Sequence, residues 1–447
     1  MNRNWDLAVV GAGESGTGAA VLAHRKGLKV FVSDFSKIDL QYKNVLNQYG
    51  IQWEEGKHSE KEILSASRIV KSPGIPPWVS IIKKALQLKI PVIDELEFAA
   101  AFTNAFKICI TGSNGKTTTS LLTYHILKKA ALNVGLAGNI GKSFARQVAE
   151  NDYDYYVIEV SSFQLDGLKD FKADIAVLLN ITPDHLDRYN NRFDDYVKSK
   201  FRIINNQKKD DAFIFCKDDK SITDRLKIQQ IGSIMYSFTK ENNSNCNAYL
   251  NSNKIMISMD DERFDMDTSD LSLTGLHNVY NGMAATIASR LVDVRKEVIK
   301  QSLEEFENIG HRLEFVSKVR GIDFINDSKA TNVNAAWYAL ESMTKPVVWI
   351  AGGVDKGNDY DMLKDLIAGK VKAIVCLGKD NSKIKDNLQN FVPELLETHT
   401  MNDAVQSAYF LAEKGDVVLL SPACASFDLF ENYEDRGRKF KQAVYDL

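Results

Sequence analysis

Twice in this chain a short apolar run ends on a glycine-rich turn. Leu7-Ala8-Val9-Val10 leads into Gly11-Ala12-Gly13-Glu14-Ser15-Gly16. Phe106-Lys107-Ile108-Cys109-Ile110 leads into Thr111-Gly112-Ser113-Asn114-Gly115-Lys116-Thr117-Thr118. A buried strand that stops on glycines and restarts as a helix is the repeating unit of open, mostly parallel α/β sheets. Glycine is needed there because the backbone turns tightly and passes close beneath the helix. Two such units leave an α/β architecture as the expectation, with ligand crevices at the carboxyl ends of the strands.

The rest of the chain follows the same rhythm. A helix is expected over 19–26, and a second strand, Lys29 to Ser33, ends at Asp34. Pro91-Val92-Ile93 reads as the last strand of the first unit. After the second glycine-rich turn a helix is expected over 120–129, then strands at Tyr156 to Val160 and Ile175 to Leu179. The stretch from Lys240 to Asn253, rich in asparagine and serine, reads as a polar surface excursion. Near Gly310 the pattern restarts, with apolar runs at Val347 to Ile350, Ala373 to Leu377 and Val417 to Leu420. At about 150 residues per domain, 447 residues suggest three α/β domains in series. The boundaries are placed at 1–93, 94–309 and 310–447.

Composition narrows the class. Hydrophobic residues at 44% and charged residues at 26% suit ordinary globular cores. A formal net charge of −3 gives no electrostatic reason to expect a nucleic-acid partner. The five cysteines are scattered and never spaced as Cys-x-x-Cys, which argues against a disulfide framework or zinc site and fits a reducing compartment. The first residues run into a strand without the apolar core of a signal peptide, and no apolar run reaches the ~18 residues of a membrane helix. A cytoplasmic protein with no membrane insertion is expected.

The strongest chemical signal is the second turn. Successive main-chain N–H groups of Gly112, Ser113, Asn114 and Gly115 at a helix N-terminus would hold polyphosphate. Lys116 would neutralise the outer phosphates, and the Thr117 hydroxyl, followed by Thr118, would ligate magnesium. The spacing departs from the common phosphate-loop pattern, whose first glycine would fall at Ile110. The turn at Gly11, with Asp34 where a ribose-binding acid would sit, matches a dinucleotide fingerprint. A purely structural turn has the same appearance.

Polar residues gather where other strands stop. Glu159 is placed to offer carboxylate oxygen to magnesium, although a satisfied polar residue looks identical in sequence. Asn180 to Tyr189 holds an Asp184-His185-Leu186-Asp187-Arg188 cluster rich in ligands and proton carriers. Lys200, by its residue type and helical setting alone, reads as a solvated surface lysine. Asn278 and Asn281 precede an alanine-rich helix, where capping is the alternative. Asn326 to Asn332, Gly352 to Lys356 and Ser421 to Ser426 each follow a strand, and three such loops in one domain suggest a shared site.

Taken together these residues resemble the Mur ligase family. The resemblance runs in order through Ser72-Pro73-Gly74-Ile75, Gly112 to Thr118, Glu159 to Gln164, Asp184 to Tyr189, His277 to Asn281, His311-Arg312, Asn326 to Asn332, Gly352 to Lys356 and Ser421 to Phe430. It implies a Rossmann-like N-terminal domain for the UDP end of the substrate, a P-loop-type central ATPase domain and a Rossmann-like C-terminal domain. The glycines at Gly11 are thereby reassigned from a redox cofactor to UDP. The compact first domain and the Ser-Pro-Ala-Cys-Ala-Ser segment point to the branch that adds D-glutamate to UDP-N-acetylmuramoyl-L-alanine in peptidoglycan precursor synthesis.

Carried over position by position, the resemblance implies that Ser15, Asp34, Gly74, Asn139 and His185 meet the UDP substrate. ATP would be held by Gly112 to Thr118 with Asn278, Asn281, Arg312 and Asp327. Lys329, Thr331, Lys356, Ser426 and Tyr433 would surround the amino acid, Lys356 gripping a carboxylate. Lys116, His185 and Lys200 would be catalytic. Thr117, Glu159, His185 and a carbamylated Lys200 would hold magnesium. Phe35 and Ser36 depart from the pattern, since they supply no cationic partner for UDP. ATP and Mg2+ are the implied cofactors, small molecules the partners, and a monomer the expected state. The rival classes are a nicotinamide-dependent oxidoreductase, a P-loop switch protein, and a sister Mur or folyl-polyglutamate ligase.

Overall fold

The computed structural model describes residues 4–259, 262–273, 275–306, 310–355 and 357–447. Among these residues the strands form three sheets, each flanked by helices. The chain divides into two compact units. One takes the chain up to Ile181 with Asp194–Asp270 and Tyr280–Glu304; the other takes Thr182–Phe193, Leu271–Val279 and Glu305–Leu447.

The first unit holds two of the sheets. Five parallel strands run in the order Gln52–Glu55, Val30–Asp34, Leu7–Val10, Ile69–Lys71, Val92–Asp94. Leu7–Val10 is buried along its whole length, as a central parallel strand covered on both faces must be. The helix after it spans Glu14–Arg25 and so starts earlier than the expected 19–26. The glycine-rich turn supplies its first residues because Gly16 packs directly on the oxygen of Gly11.

The second sheet has nine strands among the described residues. Its order is Glu262–Asp267, Lys254–Met259, Ala248–Asn251, Ile234–Thr239, Ala212–Cys216, Ile175–Leu178, Phe106–Thr111, Tyr155–Glu159, Val134–Gly138. The strands from Val134–Gly138 to Ala248–Asn251 pair in parallel, and the last two pair antiparallel. The polar excursion at Lys240 to Asn253 therefore needs correcting. Ala248–Asn251 is a strand, joined to Lys254–Met259 by a two-residue turn in which Ser252 has φ 54°. Its buried Ala248 and the ladder with Ile255 and Ile257 outweigh the turn-forming asparagines. The helix after the second glycine-rich turn spans Lys116–Lys129, again earlier than expected, so Lys116 and Thr117 lie in its first turn.

The second unit is built on a six-stranded sheet in the order Glu314–Val319, Ile322–Asn326, Val417–Leu420, Val347–Ala351, Val371–Leu377, Glu394–Thr398. Only the edge pair of Glu314–Val319 with Ile322–Asn326 is antiparallel. Strand Val347–Ala351 shows how the sheet is covered: Val347, Trp349 and Ala351 enter one core layer, and Val348 and Ile350 the other. All five cysteines are free and buried. Among the described residues no helix is long and apolar enough to cross a membrane.

Candidate active site

In the first sheet the strand order reverses between Leu7–Val10 and Ile69–Lys71, which places a crevice at their carboxyl ends. Gly11 and Ser72 line it. Gly11 has φ 95°, and a Cβ on it would stand 2.5 Å from Ser72 Oγ; a Cβ on Gly16 would stand 1.8 Å from Gly11 O. A Cβ on Gly13 would meet nothing. The first and third glycines are thus demanded by packing, while the second leaves open space. Asp34 braces the turn from below: its Oδ2 accepts from Ala12 N at 2.7 Å and its Oδ1 from Ser36 N at 2.8 Å. Ser15 lies in the first helical turn and Gly74 in the facing loop. Phe35 is exposed, its ring tilted against His58.

The second sheet reverses between Phe106–Thr111 and Ile175–Leu178, and the phosphate loop leaves the sheet there. Gly112 (φ 155°) and Gly115 (φ 83°) give the loop its shape, and a Cβ on Gly115 would stand 2.4 Å from Asn281 Oδ1. The loop is held from the neighbouring strand end. Ser113 N donates to Asn180 O at 2.9 Å, Asn114 N to Asn180 Oδ1 at 2.8 Å, and Asn180 Nδ2 to Asn114 O at 3.1 Å. Lys116 Nζ folds back over the loop, donating to Gly112 O and Ser113 O at 2.8 Å each. Thr117 and Thr118 are buried in the first turn, and Thr119 Oγ1 donates to Asn281 Oδ1 at 3.1 Å.

Glu159 closes the next strand and is 1% exposed. Its Oε1 accepts from Asn139 Nδ2 at 2.8 Å, and its Oε2 is buried without a hydrogen-bond partner. The Thr118 hydroxyl is in the same condition. A buried, unpartnered carboxylate oxygen on the strand that pairs with the one leading into the phosphate loop is the kind of donor a magnesium ion takes, since magnesium requires oxygen ligands. Among the described residues no three His, Cys, Asp or Glu side chains cluster as a metal site, so a magnesium ion here would draw on hydroxyl, phosphate and water oxygens as well.

The surface reading of Lys200 is overturned. The side chain is 1% exposed, its Nζ donating to Thr111 Oγ1 at 3.2 Å and Gly112 O at 2.9 Å and lying 5.3 Å from the centre of the Tyr196 ring. Tyr196 also reaches Ser113 Oγ at 3.1 Å. The helix Phe193–Phe201 turns its buried face inward under the loop. A lysine on an amphipathic helix gives no sequence sign of which face it occupies, and Tyr196 was likewise missed; Asn180, named among the polar strand ends, proves to brace the loop itself.

In the second unit strand Val417–Leu420 returns between Ile322–Asn326 and Val347–Ala351, so the three polar loops leave neighbouring strands. Asp327 Oδ2 accepts from Ser421 Oγ at 2.8 Å, and Asp327 N donates to Leu420 O at 2.7 Å. Burial pushes the Asp327 carboxyl up to about 6, with the charge of Arg312 opposing. The loops share a hub that sequence reading missed: Arg436, 1% exposed. Its Nε donates to Ser328 Oγ at 3.0 Å, its Nη2 to Ser328 O at 2.8 Å and its Nη1 to Cys424 O at 3.1 Å. Lys329 Nζ meets Tyr433 OH at 3.1 Å and lies 4.9 Å from the centre of that ring. Ser426 is buried, and Thr331 leads into the helix Val333–Ser342. Lys356 lies outside the described residues.

His185 also belongs to this unit, with φ 53° and its Nε2 3.7 Å from Asp184 Oδ2. Asn332 Nδ2 donates to the same Asp184 oxygen at 3.3 Å. Asn278 is buried, and the nearby His277 is pushed down to about 4 by burial and the Arg312 charge.

Three family profiles match the chain: the MurD N-terminal domain over residues 6–81, the Mur ligase middle domain over 110–289, and the Mur ligase glutamate ligase domain over 311–424. The chain is 53% identical over 442 residues to the UDP-N-acetylmuramoylalanine–D-glutamate ligase of Bacteroides fragilis, covering 99% of both chains. It is 50% identical over 445 residues to the enzyme of the same name from Porphyromonas gingivalis, again over 99% of both. Among solved structures it is similar to the UDP-N-acetylmuramate-alanine ligase of Thermotoga maritima, at TM-score 0.65 and 17% identity over 99% of this chain and all of that one. It is similar also to a pseudomurein peptide ligase of Methanothermus fervidus, at TM-score 0.64 and 20% identity over the same shares. At these identities the two structures speak for the fold alone.

Proposed function

This chain belongs to the Mur ligase family, and on that premise we propose how its loops divide the work. The reaction is the ATP-dependent joining of D-glutamate to UDP-N-acetylmuramoyl-L-alanine, a step of peptidoglycan precursor synthesis. We assign residues 1–93 to the UDP end of the substrate, 94–309 to ATP, and 310–447 to the amino acid with part of ATP. The reaction belongs in the cytoplasm, and we assign the active form as a monomer.

A carboxylate is a poor electrophile, so ATP first converts it to an acyl phosphate. A carboxylate oxygen of the alanyl group attacks the γ-phosphorus, the bond to the bridging oxygen breaks, and ADP leaves. The glutamate amine, having lost a proton, then attacks the acyl carbon, and inorganic phosphate leaves with the electron pair of the carbon–oxygen bond. Such a sequence needs positioning and charge neutralisation rather than a covalent enzyme intermediate.

Lys116, released from Gly112 O and Ser113 O, turns outward to the β- and γ-phosphates, while the loop N–H groups from Gly112 to Thr118 cradle them. Thr117, Glu159 and a carbamylated Lys200 hold magnesium, with His185 the remaining candidate ligand. That ion supplies neutralisation of phosphate charge. Asn278, Asn281, Arg312 and Asp327 serve the nucleotide; Ser15, Asp34, Gly74, Asn139 and His185 serve the UDP substrate. Asp34 does so by holding the Ala12 N–H and with it the shape of the turn. Lys329, Thr331, Lys356, Ser426 and Tyr433 receive glutamate.

The observation that carries this reading is the buried, unsatisfied Glu159 Oε2 beside a phosphate loop that ends on Lys116. The test is phosphate release from ATP, magnesium and UDP-N-acetylmuramoyl-L-alanine with D-glutamate, L-glutamate, L-alanine or glycine added in turn. Release with D-glutamate alone, one amide per phosphate, is expected. Release indifferent to the amino acid would make the chain an ATPase of another kind.

A further inference from the structure

Two acidic side chains close on the start of the helix Phe144–Glu150. Glu14 Oε1 accepts from Ser143 N at 2.9 Å, and Glu95 Oε1 accepts from Ala145 N. At the same spot Gly18 presses on Ser143, since a Cβ on Gly18 would stand 2.0 Å from Ser143 Oγ. A few residues before Ser143, Asn139 N donates to Glu159 O at 2.9 Å and Asn139 Nδ2 to Glu159 Oε1 at 2.8 Å. The run from Asn139 to Ser143 therefore joins Glu14, first residue of the helix that rises from the Gly11 turn, to the Glu159 carboxylate.

A carboxylate in the first turn of a helix is drawn to that helix's own N–H groups, where it would compete with and repel a diphosphate. Ser143 N holds the Glu14 side chain elsewhere, in a charge-assisted bond to main chain. Its partner is backbone at a helix start, and Gly18 leaves no slack between the two helices, so displacement on one side is transmitted to the other.

We propose that Glu14 is a positioning residue: with Glu95 and the bare Cα of Gly18, it sets where Asn139 and Glu159 stand relative to the Gly11 turn. The UDP end of the substrate and the oxygen ligands beside the phosphate loop are thereby kept in one register. The proposal rests on the ligase reading for its substrates.

The test uses the full chain with Glu14→Gln, Glu14→Ala and Gly18→Ala. Glu14→Gln keeps an oxygen for Ser143 N and behaves as wild type within about twofold. Glu14→Ala raises both the KM for UDP-N-acetylmuramoyl-L-alanine and the half-saturating magnesium concentration roughly tenfold, with the KM for ATP little changed. Gly18→Ala moves both constants the same way with Glu14 intact, which keeps the test open should Glu14→Ala fail to fold. Calorimetry reads the coupling without turnover: magnesium tightens UDP-N-acetylmuramoyl-L-alanine binding in wild type and no longer does so in Glu14→Ala. Wild-type constants in both alanine variants would overturn the proposal. So would a fall in kcat and Tm with every KM unchanged, the mark of a merely structural contact.

Discussion

Asn139 Nδ2 donates to one oxygen of Glu159 at 2.8 Å and leaves the other buried and without a hydrogen-bond partner. The amide fixes the carboxylate in orientation, while the bare oxygen retains a strong attraction for a cation. Glu159→Gln preserves shape and removes the charge. It is expected to lower kcat by about 10²–10³, the range for losing one electrostatic contact to the transition state, and to raise the magnesium requirement, with Tm little altered. Phosphate release across a magnesium titration measures this; a wild-type curve would remove Glu159 from the metal site.

Lys200 sits against Thr111 Oγ1 and Gly112 O rather than in solvent. Carbamylation adds CO2 to the neutral amine with loss of a proton and replaces a cation by anionic oxygens. Protein equilibrated with 13C-bicarbonate is expected to show one carbamate carbon signal that is missing from Lys200→Ala. Identical spectra for the two proteins would exclude the modification.

Asp94 and Glu95 are fully buried neighbours, and burial pushes their carboxyls up to about 7 and about 8. Lys71 opposes the shift at Asp94 while Glu97 adds to it; at Glu95 the Ala145 N–H opposes while Asp94 and Glu14 add. An unfolded carboxyl titrates near 4, so between about pH 4 and pH 8 the native state binds more protons than the unfolded chain. Stability therefore falls as pH rises through that window. Glu95→Gln, neutral throughout, is expected to raise Tm at pH 8.5 by about 2 °C or more relative to wild type, with a smaller difference at pH 5. Calorimetric scans at the two pH values decide, and a pH-independent difference would count against the protonated pair.

Arg436 binds Ser328 and Cys424, residues of two loops assigned to glutamate and ATP. Arg436→Ala leaves several buried oxygens unpaired and is expected to cost about 3–5 kcal/mol of stability in all, at about 1–3 kcal/mol for each buried group left unsatisfied. Arg436→Lys keeps the charge but loses the fork. It is expected to raise the KM for D-glutamate more than that for UDP-N-acetylmuramoyl-L-alanine. Equal changes in both constants would remove Arg436 from this role.

The readable parts of the molecule are those in which local chain chemistry and tertiary role coincide. Gly11 and Gly16, Gly112 and Gly115 appear as turns because their backbones tolerate what other residues resist. The buried strands Leu7–Val10 and Val417–Leu420 appear as apolar runs because parallel strands are covered on both faces. Ala248–Asn251 was hidden, since its strand character depends on partners across the ladder rather than on its own asparagines.

From the sequence alone came the α/β class, the two glycine-rich turns, the loops at strand ends and the family, all carried by residue types that admit few conformations. Tertiary structure decided what flexible or ambiguous side chains do. Lys200 became a buried partner of the phosphate loop, Asp34 a brace of its turn, Glu14 a clamp on Ser143, and Arg436 the hub joining the loops of Ser328 and Cys424. A charged side chain has the same local signature on a surface or in a core; the difference lies in which distant backbone groups reach it, and only the packed chain brings those together.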